Sequence, residues 1–162
     1  MQVRLARVSD AAAIRAIYNA EVVGSTVTFD IVPRTLAQQR RWVEQHQGAH
    51  PAVVAVDDDG TLTGFGSLSV FRDRAAYAAT VEDSIYVDER CRGRGVGRLL
   101  LEELLSLARK QGFHSVVARI ADDNAASIAL HRRCGFVLVG VEKEVGRKFN
   151  RWIDVAVMQL QL

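Results

Sequence analysis

The chain reads as an α+β protein, a mixed sheet flanked by helices, and three observations predict it. Short alternating or continuous apolar stretches of strand length recur from end to end, interrupted by stretches of helical period. Asp59-Gly60 is a tight-turn pair joining two such strands as a hairpin. Glu82 to Leu101 passes from a β-branched and aromatic strand, through a glycine-rich loop, into a leucine-rich helix.

Taken in order, Val3–Arg7 alternates and is expected as the first strand. Ser9 is placed to cap a helix carrying Ala12, Ala13, Ile14, Ala16 and Ile17 mostly on one face. Residues 20–34 lack clear periodicity. Thr35 opens a second helix from Leu36 to about Gln47, stopped near Gly48 and Pro51. Ala52–Val56 and Thr63–Val70 are strands either side of the Asp59-Gly60 turn, and Phe71–Tyr77 is a loop before the strand Ala79–Val87. The leucines at 99, 100, 101, 104, 105 and 107 form too broad a stripe for a helix facing water on three sides, so it packs on a sheet. Gly112 stops it, Ser115–Ile120 is a buried strand, and Asn124 or Asp123 caps a helix Ala125–Arg133 ending at Gly135. Strands of roughly Val137–Val145 and Ile153–Leu160 close the order β α α β β β α β α β β.

A length of 162 residues suggests a single domain, 1–162, long enough to bury a core. Lys+Arg 21 against Asp+Glu 19 leaves a net charge of only +2, which speaks against a general nucleic-acid binder. Cys91 and Cys134 have neither metal-ligand spacing nor a disulfide framework, so free thiols and no metal are expected. No apolar run approaches membrane length, and the N-terminus lacks a signal-peptide pattern. A cytoplasmic protein without a membrane partner is the expectation.

The glycine loop carries the first chemical signal. Gly93, Gly95 and Gly97 alternate with Arg92, Arg94, Val96 and Arg98 just before a helix. The first N–H groups of a helix have no partner within it, and glycines let a phosphate approach the bare backbone. A diphosphate is expected there. A P-loop would need Gly-Lys-Ser/Thr, whereas Gly97 is followed by Arg98 and Leu99. A dinucleotide fingerprint would need a third glycine where Arg98 stands, although Asp122 could pass for its ribose acid. A basic loop that merely joins two elements is the bland alternative.

Read as Arg92-x-x-Gly95-x-Gly97, the loop resembles the coenzyme A pyrophosphate loop of the GNAT N-acetyltransferases. Asn124-Ala125-Ala126-Ser127-Ile128-Ala129-Leu130-His131-Arg132-Arg133-Cys134-Gly135-Phe136 is similar to that superfamily's second signature, a helix closing in Gly-Phe. A closer likeness is carried by Ile17-Tyr18-Asn19, Thr26-Val27-Thr28-Phe29, Phe71-Arg72-Asp73-Arg74, Val81-Glu82-Asp83-Ser84-Ile85-Tyr86-Val87, Leu130-His131 and Gly146-Arg147-Lys148-Phe149-Asn150-Arg151-Trp152-Ile153-Asp154-Val155. These resemble the phosphinothricin and methionine-sulfoximine N-acetyltransferases. The resemblance departs at Phe149, where the phosphinothricin branch has His, at Asn150, which replaces a usual glycine, and at Arg74, a variable position.

The resemblance implies an acyl-CoA N-acyltransferase fold over nearly the whole chain, acetyl-CoA as co-substrate, a small amino-acid-like amine as acceptor, and a homodimer. It implies direct attack on the thioester through a tetrahedral intermediate. An amine is protonated at neutral pH and must lose a proton first, for which a carboxylate beside the cofactor can serve. The resemblance places that base at Glu82; the alternative is a strand-end acid paired with Arg72 or Arg74. Asp83 points to the opposite face by strand alternation and is the poorer choice. Backbone groups of Ile85, Tyr86 and Val87 are implied to bond the pantetheine arm and polarise the acetyl carbonyl.

His131 stands where the family's donor to the departing sulfur is found, with Ser127 and Asn124 on the same helix face. Packing over the cofactor, or capping, is the alternative for His131; the resemblance implies a pantetheine contact at Asn124, for which N-capping is the alternative. Arg72 and Arg74 are candidate clamps for an acceptor carboxylate, with Phe29, Tyr77, Lys148 and Phe149 as walls. Trp42 and Trp152 read as core or interface. Two other functions compete: N-terminal acetylation of a protein or peptide, which wants an open groove, and a non-catalytic acyl-CoA sensor, which would need neither Glu82 nor His131.

Overall fold

A computed structural model describes residues 1–121 and 123–162. Their elements are β1 (Gln2–Leu5), α1 (Ala11–Gly24), α2 (Leu36–Gln45), β2 (Ala52–Val56), β3 (Leu62–Val70), β4 (Thr80–Val87), α3 (Val96–Lys110), β5 (Ser115–Ala121), α4 (Ala125–Arg133), β6 (Val137–Lys148) and β7 (Arg151–Gln161). The strands form one mixed sheet in the order β1-β2-β3-β4-β5-β7-β6, the α+β architecture expected.

The sheet separates two apolar layers. On one face Ile14, Ile17, Tyr18 and Val22 of α1 and Val43 of α2 pack with Val54 and Phe65. On the other, Leu100, Leu101 and Leu104 of α3 lie fully buried against Val53, Leu68, Val81, Val116 and Met158. Burying each such leucine contributes about 1.5–3 kcal/mol, so α3 is held by packing rather than by helix propensity. Strand alternation carries through β4. Val81, Ile85 and Val87 point to the α3 layer, and Tyr86 points to the α1 layer, 5.1 Å from the Tyr18 ring.

Some boundaries differ from those read in the sequence. Val8–Asp10 is a 3₁₀ turn and α1 begins at Ala11, because Asp10 accepts from the Arg7 N–H and pairs with Arg4, rather than Ser9 capping the helix. Helix α1 runs on to Gly24, through residues without periodicity, since Glu21 and Val22 are buried while Val23 and Gly24 face out. Strand β6 extends to Lys148 through a register shift near Glu144, whose φ is +51°. Trp42 packs edge-on to Phe65, but Trp152 is 59 % exposed and is no core residue.

What positions a site is the centre of the sheet. Strands β4 and β5 are parallel and pair only from Thr80↔Ser115 to Asp83↔Ala118. Beyond that β4 stays on β3 as far as Val87↔Gly64, while β5 stays on β7 as far as Ala121↔Val155. The carboxyl ends of the two strands therefore part, and each leads directly toward a helix, α3 or α4. Such a crevice is where open sheets with parallel strands bind ligands.

At the start of α2 the Thr35 hydroxyl accepts from the Gln38 N–H while Gln38 Oε1 accepts from the Thr35 N–H, a complete capping box. Thr35→Ala is expected to lower the unfolding free energy by about 1 kcal/mol in urea titration, with an unchanged m-value.

Candidate active site

The crevice between β4 and β5 is lined by Asp83, Ser84, Ile85 and Tyr86 on one side and by Ala118 to Ala121 on the other. Asn124, Ser127 and His131 of α4 close one end, and Val27 reaches it from the loop after α1. Ile85 and Val87 pack on α3, and Tyr86 lies within an aromatic cluster with Tyr18 and Phe65. What these three residues offer a ligand is the strand edge that β5 leaves unpaired, not their side chains.

At the wide end, Gly93 and Gly95 take φ values of +76° and +82°, the left-handed region that favours glycine. Gly95 is the N-cap of α3, and the N–H groups of Val96, Gly97 and Arg98 that follow have no acceptor within the helix. A Cβ on Gly93 or Gly95 would meet nothing, so open space lies over this turn. Gly97 is different. A Cβ there would stand 3.1 Å from Leu130 Cδ2 and 3.7 Å from Val87 Cγ2, so this glycine brings α3 against α4 and β4. The Val96 side chain is buried in the core, which leaves only its N–H to a ligand.

Two of the three loop arginines have carboxylate partners within the protein. Arg92 is ion-paired with the nearly buried Glu21 of α1, which also accepts from the Ser25 hydroxyl. Arg98 pairs along its own helix with Glu102 at 2.7 Å. Arg94 is exposed and makes no hydrogen bond or ion pair among the described residues. Asp122, weighed as a ribose acid, lies outside the described residues.

Glu82 stands on the α1 face of β4, opposite Val117, one residue before the last β4–β5 pair and so just outside the residues that line the crevice. It is half-buried and bonds to neither Arg72 nor Arg74; the cation that acts on it is Arg119, itself paired with Glu142. Burial raises its pKa above the usual carboxylate range, Arg119 pulls the other way, and the negative charges of Asp83 and Glu142 add to the rise. That is the direction required of a carboxylate that accepts a proton near neutral pH.

His131 is not free to serve as read from the sequence. Its Nδ1 lies 2.8 Å from the Ser127 carbonyl and its Nε2 lies 3.0 Å from Asp83 Oδ2, with side chains only 4% and 1% exposed. Both ring nitrogens face oxygen acceptors inside the protein, so neither is turned to a departing sulfur. Asp83, set aside as facing away, is the partner that sequence reasoning missed. Asn124 caps α4 through Oδ1, which accepts from the Ser127 N–H at 3.1 Å, so its carboxamide borders the crevice in a fixed orientation.

The acceptor residues fall into two groups. Phe29 covers Gly146 so closely that any Cβ there would overlap its ring. Lys148 Nζ is buried and donates to the Thr28 carbonyl at 2.8 Å, so it ties down the loop after α1 instead of presenting a cation. Phe149 is exposed at the tip of the β6–β7 hairpin. Arg72, Arg74 and Tyr77 belong to the segment before β4, where the Arg72 guanidinium lies 5.0 Å from the Phe71 ring and 5.8 Å from the Tyr77 ring.

Comparison with known proteins agrees with this geometry. Residues 3–157 match the model of the acetyltransferase (GNAT) domain. The chain is 42% identical over 161 residues to an L-methionine sulfoximine/L-methionine sulfone acetyltransferase of Pseudomonas aeruginosa, covering 99% of this chain and 94% of that one. A phosphinothricin acetyltransferase from Sinorhizobium meliloti, solved in complex with acetyl-CoA, superposes with a TM-score of 0.96 at 38% identity, covering 99% of this chain and 88% of that one. A ribosomal-protein-alanine N-acetyltransferase from Brucella melitensis superposes with a TM-score of 0.97 at 37% identity over the full length of both chains. With its glycine loop at the mouth of a parted β4–β5 pair and a family match over nearly its whole length, the chain belongs to the GNAT acetyltransferases.

Proposed function

We propose that this protein transfers the acetyl group of acetyl-CoA to the α-amine of a small amino-acid-like substrate of the methionine sulfoximine, methionine sulfone or phosphinothricin type. The observation that carries the reading is the parted β4–β5 pair, with the open glycine turn at its mouth and half-buried Glu82 just beyond its narrow end. The residues present fit acetyl-CoA. The turn at Gly93 and Gly95 has room for a diphosphate against the α3 N-terminus, and the free edge of Ser84–Val87 suits an amide-bearing arm. Asn124 and Ser127 flank that arm from α4.

The co-substrate supplies an activated acyl carbon on a thiol leaving group. Glu82 takes one proton of the incoming ammonium from the α1 face, and the freed nitrogen bonds to the thioester carbon while a β4 N–H holds the acetyl oxygen. As the C–S bond breaks, the second amine proton passes to the departing sulfur, leaving amide and thiol. Arg72 and Arg74 meet the acceptor carboxylate, with Phe29, Tyr77 and Phe149 as apolar walls. Arg94 adds charge at the diphosphate, while Arg92 and Arg98 support the loop through their partners. The enzyme works in the cytoplasm as a homodimer. The dimer reading is supported by the last two strands of the sheet, β6 and β7, where Val137, Val139, Val145 and Trp152 are all more than half exposed.

Peptide N-terminal acetylation is the second reading, favoured by the name of the Brucella neighbour. Thiol release measured with methionine sulfone, methionine sulfoximine, phosphinothricin and an alanine-ended peptide decides between them. Turnover on the free amino-acid analogues alone is expected, and turnover on the peptide alone would overturn the proposal.

Glu82→Gln is expected to lower kcat about 10²–10⁴-fold while acetyl-CoA affinity survives. In the parent enzyme kcat/KM should rise with pH through a value above the usual carboxylate range, because the base must be unprotonated and burial raises its pKa. The two glycines should act by different routes. Gly95→Asp should abolish coenzyme A binding in calorimetry and lower Tm through backbone strain at its left-handed φ, whereas Gly97→Asp should lower both through the contact of its side chain with Leu130. Light scattering on the size-exclusion peak should give twice the chain mass of 17.9 kDa.

A further inference from the structure

Asp83 and His131 form a buried hydrogen-bonded pair that the proposed chemistry leaves without a role. The Asp83 carboxylate is held by one oxygen only. Oδ2 meets His131 Nε2 at 3.0 Å, while Oδ1 is buried and has no hydrogen-bond partner. The histidine ring is fixed on three sides: by Asp83 from β4, by the Ser127 carbonyl from its own helix, and by the Phe136 ring edge-on at 5.0 Å. A neutral imidazole with its one N–H on Nε2 would bond Asp83 and leave Nδ1 only the Ser127 hydroxyl at 3.4 Å, a longer contact than the 2.8 Å to the Ser127 carbonyl, which a bare ring nitrogen cannot bond. An imidazolium bonds both Asp83 and the Ser127 carbonyl.

We propose that Asp83 is a positioning residue: acting through His131, it keeps the imidazole ring doubly protonated and fixed against the inner end of the crevice, and so fastens α4 to β4. This rests on the acetyl-transfer reading only in its effect on turnover. Helix α4 carries Asn124 and Ser127, and His131 returns a bond to the Ser127 carbonyl, so the pair sets the wall against which the thioester arm lies. It also reserves the base role for Glu82, because a ring with both nitrogens protonated accepts nothing.

The surrounding charges agree with this assignment. Glu82 is on the other face of β4, Arg119 of β5 is engaged by Glu142, and Cys134 at the end of α4 is influenced by Glu102 and Arg98 as well as by Asp83. Asp83 is thus the charged group that faces the ring among the described residues. Burial alone would lower the pKa of His131, but the Asp83 bond and charge and the Ser127 carbonyl together raise it. A histidine raised on folding stabilises the protein fully below its unfolded pKa, and that contribution is lost as pH rises through the folded value.

The test is Asp83→Asn followed by imidazole ¹⁵N NMR, with the His131 signal among the four histidines identified by its loss in His131→Gln. The parent ring should titrate above the ordinary histidine range and lose its proton at lower pH in Asp83→Asn. In the parent, kcat should fall on the alkaline side as the ring loses its proton. In Asp83→Asn that fall should move to lower pH, with KM for acetyl-CoA rising over the same pH range as the α4 wall loosens. Asp83→Glu should restore part of the shift, since a carboxylate is returned. His131→Gln should also lower the denaturant midpoint, because it leaves the buried Asp83 carboxyl without its only hydrogen-bond partner. An unchanged His131 titration in Asp83→Asn, or a kcat loss uniform with pH, overturns the inference. The NMR readout needs no turnover, so a protein that moves no acetyl group yet shows the shift sustains the pairing and sinks only the activity.

Discussion

The parting of β4 from β5 is the constraint on which the rest of the site depends. After Asp83↔Ala118 each strand keeps its outer neighbour but gives up the inner one, which exposes backbone donors and acceptors at the centre of a sheet instead of at its rim. Buried backbone groups without partners are costly, so such a gap persists only where the flanking structure fixes both strands and a ligand or water can fill it. The flanking structure is visible here. Strand β4 is anchored to β3 over seven residue pairs and backed by α3, while β5 is anchored to β7 over seven pairs.

Much of the fold was legible from local chemistry. The Asp59-Gly60 turn, the Thr35 cap, the leucine stripe of α3 and the Asn124 cap of α4 each announce themselves within four or five residues. The glycine loop was legible for the same reason, since positive φ at Gly93 and Gly95 and a helix start at Val96 are local properties. The crevice was not. Side-chain alternation along Val81–Val87 is the same whether or not β5 pairs with it, so no residue pattern records the split.

Most of the contacts that set the site apart from its sequence pattern are long-range. Arg92 meets Glu21 across 71 positions, Lys148 meets Thr28 across 120, and His131 meets Asp83 across 48. Glu21 and Thr28 lie in or beside the stretch without periodicity, where nothing marks a residue as buried. Asp83 was passed over because alternation turned it away from Glu82, which is correct; what alternation could not tell is that the far face holds a histidine. An acid on the wrong face for one role was on the right face for another.

The touching surfaces of Gly97 and Leu130 carry a further consequence. One lies on α3, which follows β4; the other lies on α4, which follows β5. The helices behind the two separated strands thus lean on each other just where the sheet has no hydrogen bonds, like an arch closed above an open doorway. A flexible arm entering below meets walls already braced, and most of the ordering entropy then falls on the ligand rather than on the protein. Widening the doorway for a bulkier acyl chain would have to begin at the keystone, by trimming Leu130, rather than at any residue that touches the chain.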